Sequence, residues 1–172
     1  SARARGGRAL TDTRGRLITA AEQLLAERGL EGVSLREITR ASGAKNAIAL
    51  QYHFEDRAGV VGAILEKHLP AVDDRRSALL DELEANGDPD LRSLAAALVR
   101  PFAAKLADAD GGPEFLQIYA ELVSRPTPLI ATPDGRAGSL DRWRAMVEPL
   151  LAEDAARLHR RFTAILHTTL EL

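Results

Sequence analysis

"SLREITRASGAKNAIALQYHF", residues 34–54, reads as a helix that stops and restarts within a few residues. Ser34 and Glu37 have the Ser-x-x-Glu spacing of a capping box, in which the hydroxyl accepts a backbone N–H of the first turn and the carboxylate reaches back to the N–H of the cap residue. Leu35, Ile38 and Ala41 give the helix that follows a single apolar face only two turns long. So short a helix does not stand alone in water and must pack on its neighbours. Ser42 and Gly43 end it, with Gly43 supplying the left-handed conformation that a sharp turn demands. The chain then resumes through "AKNAIALQYHF", where Ile48 and Tyr52 recur at four and Leu50 and Phe54 do the same, a second short helix whose remaining positions are polar.

Two short helices joined by a tight Gly-containing turn form a helix-turn-helix arrangement. In that arrangement the second helix presents its exposed side to a major groove while the first crosses the phosphate backbone. Side-chain amides bond adenine bidentately and Lys or Arg bonds guanine or phosphate, so Lys45, Asn46 and Gln51 suit the exposed side of the second helix. An ordinary corner between two helices has the same turn. The polar residues, together with an arginine-rich N-terminus, favour the groove-binding reading.

Upstream, a helix is expected from about Thr13 to Arg28, with Leu17, Ile18, Ala21, Leu24 and Leu25 on one face and Gly29 as its stop. It supplies the core that the two short helices lack. Apolar residues recur at three and four along nearly the whole chain of 172 residues, and no alternating β-branched run of useful length occurs, so the fold class is all-α. With 45% hydrophobic residues the chain buries a core of its own.

The net charge of −2 hides an asymmetry. Residues 1–57 hold ten basic against seven acidic side chains, and residues 58–172 hold thirteen against eighteen. Arg3, Arg5, Arg8, Arg14 and Arg16 fall within the first sixteen residues beside one acid, Asp12, so this arm suits a polyanion, or else is a solvated tail. There is no Cys, hence no disulfide, thiol nucleophile or thiolate metal site. No apolar run approaches the roughly 20 residues that span a bilayer, and the basic N-terminus lacks the apolar stretch of a signal peptide. A cytoplasmic protein with no membrane partner is expected.

Residues 14 to about 65 resemble the N-terminal DNA-binding domain of the TetR family of transcriptional regulators. The resemblance is carried in order by "ITAAEQLLAERGLEGVSLREITRASG", "YHF" and "EDRAGVVGAIL". These hold the Ala-Ala helix, the Gly before the capped helix, "REI" with Ala and Gly after it, and Tyr-His-Phe closing the recognition helix. Between Gly43 and Tyr52 the chain has one residue more than the commonest family pattern, and "KNAIALQ" stands in place of the usual Ser/Thr-Lys/Arg-Gly type of sequence.

The resemblance implies a homodimer whose recognition helices enter successive major grooves of a near-palindromic double-stranded DNA operator. It also implies a C-terminal helical domain that binds a small-molecule effector and dimerises. The expected division is 1–56 for the basic arm and DNA-binding domain and 57–172 for effector binding and dimerisation. By the same resemblance Ser34 is a phosphate-contacting cap, Arg36 reaches the backbone from the same turn, Tyr52 and His53 touch phosphates, and Arg57 meets phosphate at the start of the next long helix. Phe54 is core. Arg14, which opens the run, joins the DNA-binding set, and Lys45, Asn46, Ala47 and Gln51 are the candidates for base edges, with Ala47 or Ala49 able to sit on a thymine methyl.

From Asp56 a capped helix runs on to about Ala85, and Pro70 is expected to bend or break it. Asp73-Asp74 before Arg75-Arg76 reads as a solvated charged face. Asp88-Pro89 is the expected cap and first position of the next helix, about 90–108, with a second kink at Pro101. A shorter helix follows with Phe115, Leu116, Tyr119 and Leu122 on its apolar side, then a Pro- and Gly-rich loop and two more helices. Leu98, Phe102, Phe115, Tyr119, Trp143 and Met146 are candidates to line an effector cavity. Leu158, Phe162, Ile165, Leu166 and Thr169 have spacings suited to the seam in which, by the resemblance, the last two helices pair with those of a second copy.

An enzyme finds no support. His53, His68, His159 and His167 show no metal-ligand spacing, and neither a Gly-rich phosphate loop nor a nucleophile elbow is present, so no catalytic residue, metal or cofactor is assigned. The expected function is a sequence-specific transcriptional regulator, most often a repressor in this family. The alternative is a helical protein-interaction module with only non-specific DNA affinity.

Overall fold

The computed structural model describes residues 2–44, 53–87, 89–125, 138–152 and 155, with side chains from Thr13 onward. Among them are six α-helices and two 3₁₀ turns, and no strand. The helices are α1 (Ala2–Arg28), α2 (Leu35–Ala41), α3 (Arg57–Asn86), α4 (Leu91–Ala103), α5 (Gly112–Val123) and α6 (Gly138–Val147). The all-α expectation holds. Contacts gather the chain into two compact units, one of Ser1–Lys67 with Asp108–Arg125 and one of His68–Ala107 with Pro126–Leu172. Helix α3 contributes its first eleven residues to the first unit and the rest to the second.

In the first unit α1 packs on α2 and on α5. Its buried residues Leu17, Ile18, Ala21 and Leu25 recur at helical spacing. Each large aliphatic side chain so buried contributes about 1.5–3 kcal/mol relative to exposure. Leu30 and Val33 of the connection, Ile38 of α2, Phe54, Val60, Val61 and Ile64 around the start of α3, and Phe115 and Ile118 of α5 are buried as well. α1 begins at Ala2 rather than near Thr13. Ala2, Ala4, Ala9, Leu10 and the arginines are strong helix formers and no proline interrupts them, while Gly6 and Gly7 oppose the helix by about 1 kcal/mol each.

The second unit holds a core of Leu80, Leu94, Ala97 and Val147, against which Leu79, Leu83, Trp143, Met146 and Leu151 pack. α4 lies on α6. The cap of α4 is Asp90, not Asp88: its backbone is extended and its carboxylate accepts the Ser93 N–H at 2.7 Å. α4 gives way at Ala104–Ala107 to a 3₁₀ turn, shortly after Pro101, which removes an intrahelical donor. α3, by contrast, continues through Pro70 without a break.

The charge quartet 73–76 divides. Asp74 and Arg75 are exposed, but Arg76 is buried, donates to Ser139 Oγ at 2.9 Å, lies 3.7 Å from Asp73 and places its guanidinium 5.8 Å from the Phe102 ring centroid. The Ser139 hydroxyl also donates to Asp73. Half of what reads as a solvated face is therefore a buried polar contact, a long-range pairing that local sequence does not show. His68 and Lys105, both buried, approach to 3.2 Å in the same unit.

Candidate nucleic-acid interface

The capping box expected at Ser34 is formed in full. Ser34 Oγ accepts from the Glu37 N–H at 3.3 Å, and Glu37 Oε2 accepts from the Ser34 N–H at 2.8 Å. Those bonds from Ser34, aided by Arg28 at 3.1 Å, hold the Glu37 carboxyl below the usual carboxylate range. The buried face of α2 consists of Ile38 and Thr39, the Thr39 hydroxyl donating to the Leu35 carbonyl at 2.9 Å. Ala41, expected on that face, is exposed. The helix turns only about twice, and its last turn has already rotated the 41 position outward while 39 takes the inner place.

At its C-terminal end Ser42 donates to the Thr39 carbonyl at 2.8 Å and accepts from the Ala44 N–H at 3.3 Å. Gly43 has φ +68°, the left-handed conformation read from the sequence. Both ends of α2 are thus fixed by side chains that belong to it. Its outer face carries Arg36 and, one turn on, Arg40, both exposed. Residues four apart on a helix stand about 6 Å from each other, which presents two guanidinium groups along one line beside the Ser34 cap. Arg40 was not among the contact residues expected. The signal was its spacing of four from Arg36.

Lys45, Asn46, Ala47, Gln51 and Tyr52 lie outside the described residues. His53 is partly exposed and its ring is tilted against Phe54, centroids 5.9 Å apart. Phe54 is buried, as expected of core. Arg14 lies over the Phe54 ring, 5.3 Å from its centroid, with Glu66 Oε2 at 3.5 Å. This cation–π contact ties α1 to the residue that closes the segment after the turn.

Arg57 is turned to the connection between α1 and α2. One terminal nitrogen donates to the Leu30 carbonyl, the other donates to the Val33 carbonyl at 2.8 Å, and Glu31 Oε2 stands 3.4 Å away. From α5, Glu121 accepts the Leu30 N–H with both oxygens, at 3.0 and 3.2 Å. Arg125 bonds Glu31 at 2.6 Å. Glu22, almost wholly buried on α1, pairs with Lys67 at 3.0 Å, and Lys67 reaches Asp110 at 2.9 Å. Burial lowers the Lys67 pKa, but its bonds to Asp110 and Glu22 outweigh that and leave it raised. Glu22 interrupts the apolar stripe of α1, and an acid in such a place signals a buried partner.

The candidate effector residues divide between the units. Phe115 is fully buried and packs at 5.6 Å against Tyr119 in the first unit. Leu98, Phe102, Trp143 and Met146 belong to the second. There Trp143 donates its indole N–H to the Leu94 carbonyl at 2.7 Å, and with Met146 packs on the core. A cleft of about 320 Å³ in that unit is lined by other residues, among them Leu79, Leu83, Ala96 and Arg100. The five proposed dimer-seam residues, 158–169, lie outside the described residues. Among the described residues no helix is long and apolar enough to cross a membrane.

Residues 17–64, which span α1 from Leu17, the connection, α2, the turn and the start of α3, match the family model of bacterial regulatory proteins, tetR family. No curated protein matches the chain.

Proposed function

We propose that this chain, whose residues 17–64 match the DNA-binding domain of bacterial regulatory proteins of the tetR family, is a homodimeric transcriptional repressor released from a near-palindromic operator by a small-molecule effector. The observation that carries the reading is α2 itself. Capped by Ser34, stopped at a left-handed Gly43 and bearing Arg36 and Arg40 outward, it has the form of the helix that crosses a phosphate backbone ahead of a recognition helix. The segment that follows carries Lys45, Asn46, Ala47 and Gln51 as base readers, with Tyr52 and His53 beside them on phosphate.

In this reading 1–56 binds DNA and 57–172 holds the effector and the dimer contact, through Leu158, Phe162, Ile165, Leu166 and Thr169. The effector acts by population shift, binding more tightly to the state whose recognition helices are wrongly spaced, and it weakens operator affinity only by its differential affinity for the two states. Such a protein works in the cytoplasm, and no catalytic residue or cofactor is assigned to it.

The reading separates two kinds of residue. Ala at Asn46 or Gln51 relaxes sequence preference at single positions, by about 1–3 kcal/mol of discrimination per lost base contact. Ala at Arg36 weakens binding to all duplexes alike and lowers the salt slope by about one. Titration of each variant against single-base operator variants at several salt concentrations reads both effects. If all three substitutions acted alike, the division into readers and anchors would be refuted. A compound that binds the protein and leaves operator affinity unchanged, with no other compound altering it, would remove the effector from the account.

A further inference from the structure

We infer that Arg57 and Glu121 are positioning residues that grip the carbonyl and the N–H of Leu30 and so set where α2 lies on DNA, Arg57 acting without touching phosphate. The inference rests on the DNA-binding reading above.

Leu30 and Val33 bury their side chains in the connection between α1 and α2, which brings their backbone groups inward with them. Buried backbone donors and acceptors need partners. The connection does not supply these itself: its own backbone bond runs from the Gly32 N–H to the Gly29 carbonyl. The partners come from charged side chains far away in sequence. The Leu30 N–H goes to the Glu121 carboxylate, and the Leu30 and Val33 carbonyls share the Arg57 fork. Glu31 closes a ring, lying 3.4 Å from Arg57 and 2.6 Å from Arg125, which stands 3.6 Å from Glu121. The residue after Val33 is Ser34, the cap of α2. Whatever holds the Val33 carbonyl therefore holds the first turn of α2, and through this two-turn helix the turn at Gly43, from which the base-reading segment leaves.

The chemistry of the fork separates this role from a phosphate contact. A phosphate accepts a lysine as a point charge, but here the Leu30 and Val33 carbonyls are each met by a different terminal nitrogen of one planar guanidinium, a fork that a single ammonium nitrogen does not reproduce. R57K keeps the charge and loses the bridge. E121Q keeps the size of the side chain and one acceptor oxygen, but loses the second oxygen and the charge that the Leu30 N–H and Arg125 meet.

The test uses the full chain and two probes, a duplex that the wild-type chain selects from a random library and a scrambled duplex of the same composition. Binding is measured at several salt concentrations, at a temperature where circular dichroism shows every variant folded. R57K and E121Q each bind the selected duplex about tenfold more weakly, the worth of about one misplaced base contact, while affinity for the scrambled duplex and the salt slope stay at wild-type values. R57K that binds as wild type, together with R57M that weakens both duplexes and lowers the slope by about one, overturns the inference and returns Arg57 to phosphate. Equal losses on both duplexes by R57K and E121Q overturn it too. A wild-type chain that selects no sequence overturns the DNA-binding reading, whereas a selecting wild type with an unaffected R57K overturns this inference alone.

Discussion

Replacing Gly111 by Ala tests how the first unit is locked. Gly111 precedes α5 with φ +82°, where an L residue costs about 1–2 kcal/mol. A Cβ there would also stand 2.8 Å from Glu22 Cδ and closer still to its Oε2. Glu22 is not a side chain that swings aside. It is 1% exposed and its carboxylate bonds Lys67 at 3.0 Å. Relief requires moving the backbone before α5 or displacing the buried carboxylate, the kind of overpacking that costs about 1–3 kcal/mol. Together the two effects destabilise the unit by about 2–5 kcal/mol. Gly43→Ala is the control, because Gly43 has φ +68° and its Cβ would meet nothing within 4 Å among the described residues. It carries the conformational cost alone. Urea unfolding followed by circular dichroism, with both variants and wild type compared at equal m, measures the difference. Gly111→Ala within about 0.5 kcal/mol of Gly43→Ala, the margin for independent effects, would refute the collision with Glu22.

Further outcomes follow from the caps, the carboxylates and the second core. Ser34→Ala removes the acceptor of the Glu37 N–H and destabilises the chain by about 1 kcal/mol, which the same urea titration reads; no change would mean that α2 does not depend on its cap. Glu37, Glu84 and Asp90 all have lowered pKa values, from bonds to Ser34, Arg142 and Ser93 respectively. Since their folded pKa lies below the unfolded one, the stability they supply is present above about pH 4 and is lost as pH falls through the folded values. Unfolding midpoints should hold from pH 7 to 5 and decline below 4, and the triple amide variant should flatten that decline. Trp143→Phe leaves the Leu94 carbonyl without its indole donor and costs about 1–3 kcal/mol, whereas an unchanged midpoint would show that the bond is replaced by water.

What was legible in the sequence was local. The Ser34–Glu37 box, the stop at Gly29 and the turn at Gly43 depend on residues within four of one another, and all three stand in the structure as read. So does the apolar stripe of α1. What was not legible depends on pairings across long stretches of chain. Arg57 at the head of a helix looks like a phosphate ligand until the carbonyls of Leu30 and Val33, more than twenty residues away, are seen to accept from it. Phe115 and Tyr119 have a readable helical face, but nothing local says that their helix packs on α1 in the first unit and not with the helices that follow. Arg76 reads as solvent-facing because its partners Ser139 and Phe102 lie far along the chain. Glu22 is the exception, a local sign of a buried ion pair set within the stripe itself.

The most direct test of the regulator is selection of bound sequences from a random duplex library by the full chain. The selected duplex is then titrated against a scrambled one at two salt concentrations. The account predicts a near-palindromic winner bound about a thousandfold or more tighter than the scrambled duplex, the preference surviving at the higher salt. Equal binding to both duplexes, disappearing as salt rises, would leave only arginines attracted to phosphate. It would contradict the account in favour of a helical protein-interaction module.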